Sequence, residues 1–301
     1  MKKHLLSLSD LTPKQILALL SRARVLKQAR KRGRQAASLK GKSLALVFEK
    51  PSTRTRVSFD IAMAELGGHS VYLETSSTQL GRGETYQDTA KVLSRYAHGI
   101  VMRTFAQKNL EEMAQASSVS IINGLSDLCH PCQILTDLFT IEEAKGSFLK
   151  KQICYIGDGN NMANTWIEAA LLLGFSLKIA TPKGYEPSPL VLKKIKSQKT
   201  QVVITEDPLE AIYEADVINT DTWFSMGQEV SKEKERVFSP YQINGKLLKQ
   251  AKKDAIVLHC LPAHRGEEIT EEVMDGSQSR VWDQAENRLH VQKALLEMFL
   301  R

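Results

Sequence analysis

Phe48-Glu49-Lys50-Pro51-Ser52-Thr53-Arg54-Thr55-Arg56-Val57-Ser58-Phe59 is the stretch on which the reading turns. It follows a short apolar run, Leu44 to Phe48, that reads as a buried strand, and it leads into a helical pattern, Val57 to Leu66, that closes on Gly67-Gly68. Hydroxyls, two guanidinium groups and the unpaired N–H groups of a helix start meet where the strand hands over to the helix. Such a place binds anions, because the helix start offers donors and the positive end of its dipole. Thr53 and Thr55 add hydroxyl donors, and Arg54 adds a planar fork matched to phosphate. The plainer reading is an N-cap followed by a basic surface helix.

Outward from this stretch, strand-like and helical patterns alternate. A first helix is expected near Leu11-Thr12-Pro13, with Asp10 or Thr12 as its cap and Pro13 in its first turn. Strands are expected at Leu44–Phe48, Ser70–Leu73, Ile100–Met102 and Ser120–Ile122. Further along they are expected at Ile153–Ile156, Leu177–Ala180, Val202–Thr205, Val217–Thr220 and Ile256–His259. Helical stretches lie between most of them, among them Thr85–Tyr96, Leu110–Ala116, Ala163–Leu173 and Pro189–Ser197. This alternation predicts the α/β class, with two doubly wound parallel-sheet domains joined by helices. The lysine-glycine stretch 145–151 is the natural break. It sets a first domain at 1–147 and a second at 148–284, with a C-terminal helix, 285–301, crossing back to the first domain.

The bulk numbers exclude several classes. The chain has 301 residues, 42% hydrophobic and 25% charged, which suits a folded protein of two domains rather than a disordered one. No apolar run approaches a membrane span. The start, Met1 to Asp10, is basic but lacks a sustained apolar core, so no signal peptide is expected and a cytoplasmic location is. The net charge of +7 could suit nucleic acid or a small anion. Much of it lies in solvated helix faces, and the 6% of aromatics form no basic-aromatic platform, so no nucleic-acid partner is expected. Cys129-His130-Pro131-Cys132 has the C-x-x-C spacing of a redox or zinc site. It lies mid-chain and lacks a second ligand pair, so the four cysteines are read as reduced thiols, and no metal is expected.

Further polar segments cluster at the ends of predicted strands, where open α/β sheets bind ligands. The loop Ser76–Glu84 carries Gln79 and two glycines, and reads equally as a mobile connection. Arg103 directly follows a strand, where surface ion pairs are common. His130-Pro131-Cys132-Gln133 opens a helix, which places His130 at or beside the N-cap. Gly157-Asp158-Gly159-Asn160-Asn161 and Asp221-Thr222-Trp223-Phe224-Ser225-Met226-Gly227 follow two strands of the second half. The first resembles a dinucleotide fingerprint, but Met162 holds the place of the third glycine and no acidic residue ends the next strand. His259-Cys260-Leu261-Pro262 follows another strand, and Glu286-Asn287-Arg288 heads the last helix.

Taken together, Ser-Thr-Arg-Thr-Arg, His-Pro-Cys-Gln, Asp-x-Trp-x-Ser-Met-Gly, His-Cys-Leu-Pro and Glu-Asn-Arg, in this order, resemble the ornithine carbamoyltransferases. The first two motifs are shared with the aspartate carbamoyltransferases; Ser-Met-Gly and His-Cys-Leu-Pro point to the ornithine branch. No motif position departs from that pattern. The resemblance implies that Ser52, Thr53, Arg54 and Thr55 hold the phosphate of carbamoyl phosphate, with Gln79 reaching a neighbouring subunit's site and Arg288 contributing from the last helix. It implies that Arg103, His130 and Gln133 grip the carbamoyl end. It places Asn161, Asp221, Ser225 and Met226 on ornithine, and Cys260 and Leu261 by the reacting amine. Arg103, His130 and Cys260 are the candidate catalytic residues. A homotrimer or multiple of trimers, with active sites at subunit interfaces, is implied as well.

The residues' own chemistry agrees with that picture. A dianionic leaving group needs several cationic or N–H donors. The carbamoyl oxygen gains negative charge as an amine adds, and Arg103, His130 and Thr55 can donate to it. Asp221 can pair with an ammonium and Asn161 can donate to a carboxylate. Direct displacement needs neither a covalent cysteine nor a cofactor. The expectation is therefore transfer of a carbamoyl group from carbamoyl phosphate to L-ornithine, giving L-citrulline in arginine metabolism. Putrescine or aspartate is the alternative acceptor, and a dinucleotide-dependent oxidoreductase is the alternative class.

Overall fold

The computed structural model describes residues 4–34, 37–196, 201–224 and 231–301. The chain divides into two compact units, residues 1–135 with 287–301, and residues 136–286.

In the first unit the order is α1 (Pro13–Lys31), β1 (Ser43–Phe48), α2 (Thr53–Glu65), β2 (His69–Glu74), α3 (Tyr86–Tyr96), β3 (Gly99–Arg103), α4 (Gln107–Ala116) and β4 (Ser120–Leu125). Helix α5 (Pro131–Lys145) then carries the chain into the second unit. The four strands are all parallel, in the order β2-β1-β3-β4. Central strands bury both faces, so β1 and β3 are nearly continuous apolar runs, whereas edge strand β2 is half-exposed throughout. The other edge is extended by Leu5, which bridges in parallel to Ile122.

The second unit contains β5 (Gln152–Ile156), α6 (Asn161–Leu173), β6 (Ser176–Ala180), α7 (Pro189–Lys196), β7 (Val202–Thr205), α8 (Pro208–Ile212) and β8 (Val217–Thr220). It continues with α9 (Lys232–Phe238), α10 (Gly245–Leu248), β9 (Ile256–His259) and α11 (Glu271–Met274), and α12 (Val281–Leu300) returns to the first unit. Its sheet is also parallel, in the order β7-β6-β5-β8-β9.

All nine strand predictions coincide with observed strands, with ends differing by at most three residues. The clearest difference is α2, which begins at Thr53 rather than Val57. Ser52 caps it, its hydroxyl accepting from the Thr55 N–H at 3.3 Å, so the polar turn is itself the first helical turn. The expected return of the C-terminal helix is observed. Lys27 donates to Asn287 Oδ1 at 2.7 Å, Arg22 pairs with Glu297 at 2.5 Å, and buried Lys293 pairs with Glu65 at 2.8 Å.

Each sheet reverses its chain order once, between β1 and β3 in the first and between β5 and β8 in the second. At such a switch point adjacent connections leave to opposite faces and open a crevice at the carboxyl ends of the strands. The polar turn after β1 and Arg103 at the end of β3 lie at the first. Gly157-Asp158 after β5 and Asp221 after β8 lie at the second.

Trp166 is the largest fully buried side chain, on α6, edge-on to Phe175 at 6.1 Å and donating to Asn219 Oδ1 at 3.2 Å. Trp166→Ala should cost about 3–5 kcal/mol of stability through the cavity it leaves. A urea denaturation series read by circular dichroism checks this, with a midpoint like the wild type's as the contrary result.

Candidate active site

In the first unit the buried Thr55 hydroxyl is the meeting point. Its Oγ1 accepts from Arg288 Nη2 at 2.8 Å, from Arg103 Nη1 at 3.5 Å and from Ser52 Oγ at 3.1 Å. Arg288 also donates through Nη1 to Gln133 Oε1 at 2.5 Å. Four distant segments thus converge: the start of α2, the end of β3, the head of α5 and the last helix. Arg103, His130, Gln133 and Arg288 are all buried. Arg54 is only partly buried, and its guanidinium makes no hydrogen bond or ion pair with another described residue. Thr53 is exposed on the first turn of α2.

Burial pushes the His130 imidazole well below its ordinary value of 6.5, and the Arg288 and Arg103 guanidinium groups push it the same way. The ring is therefore neutral at neutral pH.

Glu49 braces the polar turn, a role that pattern reading missed. Its carboxylate accepts from Tyr86 Oη and Thr104 Oγ1, each at 2.5 Å, and from the Phe105 N–H at 3.2 Å, while its own N–H donates to the Arg103 carbonyl at 2.8 Å. Buried Lys50 pairs with Asp127 and lies 4.2 Å from the Phe105 ring centroid. These contacts tie the turn after β1 to the segment after β3. Only the polar residues within an otherwise strand-ending sequence hinted at them. Gln79 is exposed at the head of a short 3₁₀ turn, Leu80–Arg82, and no described contact joins it to the Thr55 cluster.

In the second unit the centre is Asp221, itself buried. Its carboxylate accepts from Cys260 Sγ at 2.9 Å, from Asn160 Nδ2 at 2.8 Å and from the Thr222 N–H at 2.8 Å. Asn160, not singled out from sequence, also caps α6, whose first residue is the partly buried Asn161. Ser225 and Met226 lie outside the described residues. His259 shapes the next loop. Its Nδ1 accepts from the Leu261 N–H at 2.9 Å, which leaves the proton on Nε2 to face Glu268 Oε1 at 2.9 Å. Leu261 takes φ +62°, a left-handed conformation that costs a residue with a β-carbon about 1–2 kcal/mol. The His259 bond offsets part of that cost.

The C-x-x-C pair is not in a reactive setting. Cys129 and Cys132 are buried, none of the four cysteines is in a disulfide, and burial pushes the Cys132 thiol up to about 12. Among the described residues one group, His264, Glu267 and Glu268, has donor atoms close enough to share a metal ion. Glu268 Oε1 in that group already accepts from the His264 N–H at 2.6 Å as well as from His259.

A cationic, hydroxyl-lined cluster on one parallel sheet and a carboxylate-centred cluster on another define an α/β protein with two polar switch points. Known proteins with this pattern are found. Residues 3–143 match the carbamoyl-phosphate-binding domain of the aspartate/ornithine carbamoyltransferases, and residues 149–299 match their Asp/Orn-binding domain. The chain is 54% identical over 302 residues to an ornithine carbamoyltransferase of Syntrophus aciditrophicus, covering all of both chains. It is 52% identical over 295 residues to one of Archaeoglobus fulgidus, covering 98% of this chain and 96% of that one. The ornithine carbamoyltransferase structure of Pyrococcus furiosus superposes with a TM-score of 0.95 at 48% identity, over 99% of this chain and 97% of that one. The chain belongs to the aspartate/ornithine carbamoyltransferase family.

The His130 environment makes a pH prediction. The unfolded chain takes up a proton near pH 6.5, whereas the folded chain does so only far lower. The unfolded state then binds more protons in that window, so stability present above pH 6.5 is lost as pH falls below it, by up to about 1.4 kcal/mol per pH unit. Denaturation midpoints measured between pH 7 and pH 5 should fall more steeply for the wild type than for His130→Asn. Parallel slopes would contradict a buried neutral imidazole.

Proposed function

We propose that this chain transfers the carbamoyl group of carbamoyl phosphate to the side-chain amine of L-ornithine, giving L-citrulline and phosphate. The observation that carries the proposal is the convergence of Arg103, Arg288 and Ser52 on Thr55 Oγ1 at the N-terminus of α2. That arrangement suits a dianion bound to Ser52, Thr53, Arg54 and Thr55. Arg103 and neutral His130, with Gln133, then face the carbamoyl oxygen, whose charge grows as the amine adds. Preorganised donors of this kind are each worth about 3–4 kcal/mol of transition-state stabilisation.

On the second unit, Asp221 is assigned to an ammonium of ornithine and Asn161 to its carboxylate, with Ser225 and Met226 completing the set. The distal amine, ordinarily protonated below a pKa of about 10, loses its proton before attack. Its new bond to carbon forms as the carbon–oxygen bond to phosphate breaks. Cys260 donates its S–H to Asp221, so it helps to orient that carboxylate and needs no covalent role. An anionic centre in this unit favours a cationic acceptor over aspartate, and a carboxylate partner at Asn161 favours an amino acid over putrescine.

The domain assignment follows: residues 1–147 with 285–301 take carbamoyl phosphate, and 148–284 take ornithine. A homotrimer in which Gln79 completes a neighbour's phosphate site fits its exposed position, and a reducing cytoplasm fits four unbridged thiols. Among the described residues no helix is long and apolar enough to cross a membrane.

Carbamoyl phosphate offered in parallel with ornithine, putrescine and aspartate tests the reaction. Citrulline should form far faster than either rival product, and a preference for a rival would sink the assignment. Arg54→Ala should lower turnover roughly a hundredfold or more while circular dichroism stays unchanged. Gln79→Ala should also be impaired. If the sites are shared, mixing the two variants by reversible dissociation restores part of the activity. An active monomer in gel filtration, or no recovery when the wild type survives the same treatment, would disprove the shared site.

A further inference from the structure

Lys234, the third residue of α9, is buried. Its Nζ donates to Asp158 Oδ2 at 2.7 Å and lies 5.2, 5.2 and 5.4 Å from the ring centroids of Tyr185, Phe238 and Phe224. A carboxylate with aromatic faces around an ammonium is the chemistry by which proteins recognise amine ligands. Here the chain's own lysine fills the box. Asp158 follows β5 at the second switch point, and the neighbouring residues connect it to Asp221. Tyr155 Oη donates to the Asp158 carbonyl at 2.9 Å and lies 3.3 Å from Asn160 Oδ1, and Asn160 Nδ2 donates to Asp221 Oδ2 at 2.8 Å.

We propose that Lys234 is a positioning residue that sets the affinity for ornithine by occupying this cation box, so that Asp221 is the carboxylate left for the substrate's ammonium. Among the described residues Asp221 has no ion-pair partner, whereas Asp158 has Lys234. Burial raises the Asp158 proton affinity; the Lys234 ammonium opposes this and the Asp221 charge adds to it, so the two carboxylates influence one another. Without Lys234, Asp158 would be a second, lone carboxylate bordered by aromatic rings. It would attract an ammonium of ornithine away from its place on Asp221. A buried charge stripped of its partner is far more disruptive than a pair removed together. The box should then also admit a small external ammonium ion.

The inference rests on the proposed ornithine reaction, and the experiment separates the two. Citrulline formation by the wild type tests the reaction. Ethylammonium chloride tests the box without turnover: it should raise the thermal midpoint of Lys234→Ala but not that of the wild type or of the Asp158→Asn/Lys234→Ala pair, at matched ionic strength. Equal responses in all three would overturn the proposal. In steady-state kinetics Lys234→Met should raise KM for ornithine by roughly tenfold or more, while kcat and KM for carbamoyl phosphate stay within about threefold. The Asp158→Asn/Lys234→Met pair should bring KM for ornithine back to within about threefold of the wild type. An unchanged KM in a folded Lys234→Met protein, or a pair no better than the single variant, would overturn it. Should Lys234→Met not fold, the pair, which buries no lone charge, carries the test: a KM for ornithine raised tenfold there is the contrary result.

Discussion

Two buried guanidinium groups, from Arg103 and Arg288, share the hydroxyl of Thr55 as a hydrogen-bond acceptor, and much of the first unit is arranged so that they can. Like charges so placed repel, and the backbone elements that carry them must hold them there against that repulsion. The parallel sheet supplies Arg103 at the end of β3, and the return of α12 supplies Arg288. Glu49 and Lys50 keep the turn between β1 and α2 against the segment after β3. The depressed proton affinity of His130 is a direct consequence of burial in that positive field. The same field, added to the α2 N-terminus, makes the crevice receptive to a dianion. An arginine in the same place on a mobile loop would lose side-chain entropy each time an anion bound.

The second unit handles charge differently. Its switch point carries two carboxylates, Asp158 and Asp221, and among the described residues only the first has a cation from the chain. Lys234 enters from α9 with aromatic rings around its ammonium, which lowers the cost of keeping the ion pair out of water. Asp221 is held by neutral donors from Cys260, Asn160 and the Thr222 N–H, so it stays oriented without being neutralised. One unit thus concentrates positive charge, and in the other, among the described residues, one buried carboxylate has no cation beside it, each at the carboxyl ends of its own parallel strands. Fold alone would not distinguish them. The side chains at the strand ends do.

The polar turn proposed to bind the anion, the nine strands and most of the helices were legible in the amino-acid sequence because they rest on local signals. Apolar runs bounded by polar turns mark the buried parallel strands, Thr12 and Pro13 mark the start of α1, and Ser52 to Arg56 carry the donors for an anion within one turn of helix. Arg103, His130 and Arg288 could be picked out as polar groups at strand or helix ends. What each of them touches could not be read, because those partners lie tens to hundreds of residues away. Tertiary structure alone decided that Arg288 bonds to Thr55 and Gln133, that Cys260 bonds to Asp221, and that Lys234, in a stretch that looks like an ordinary charged helix, is buried on Asp158. Local sequence sets backbone propensity and the side chains on offer; which of those side chains meet, and which buried charges find partners, is set by the topology that folds distant strand ends together.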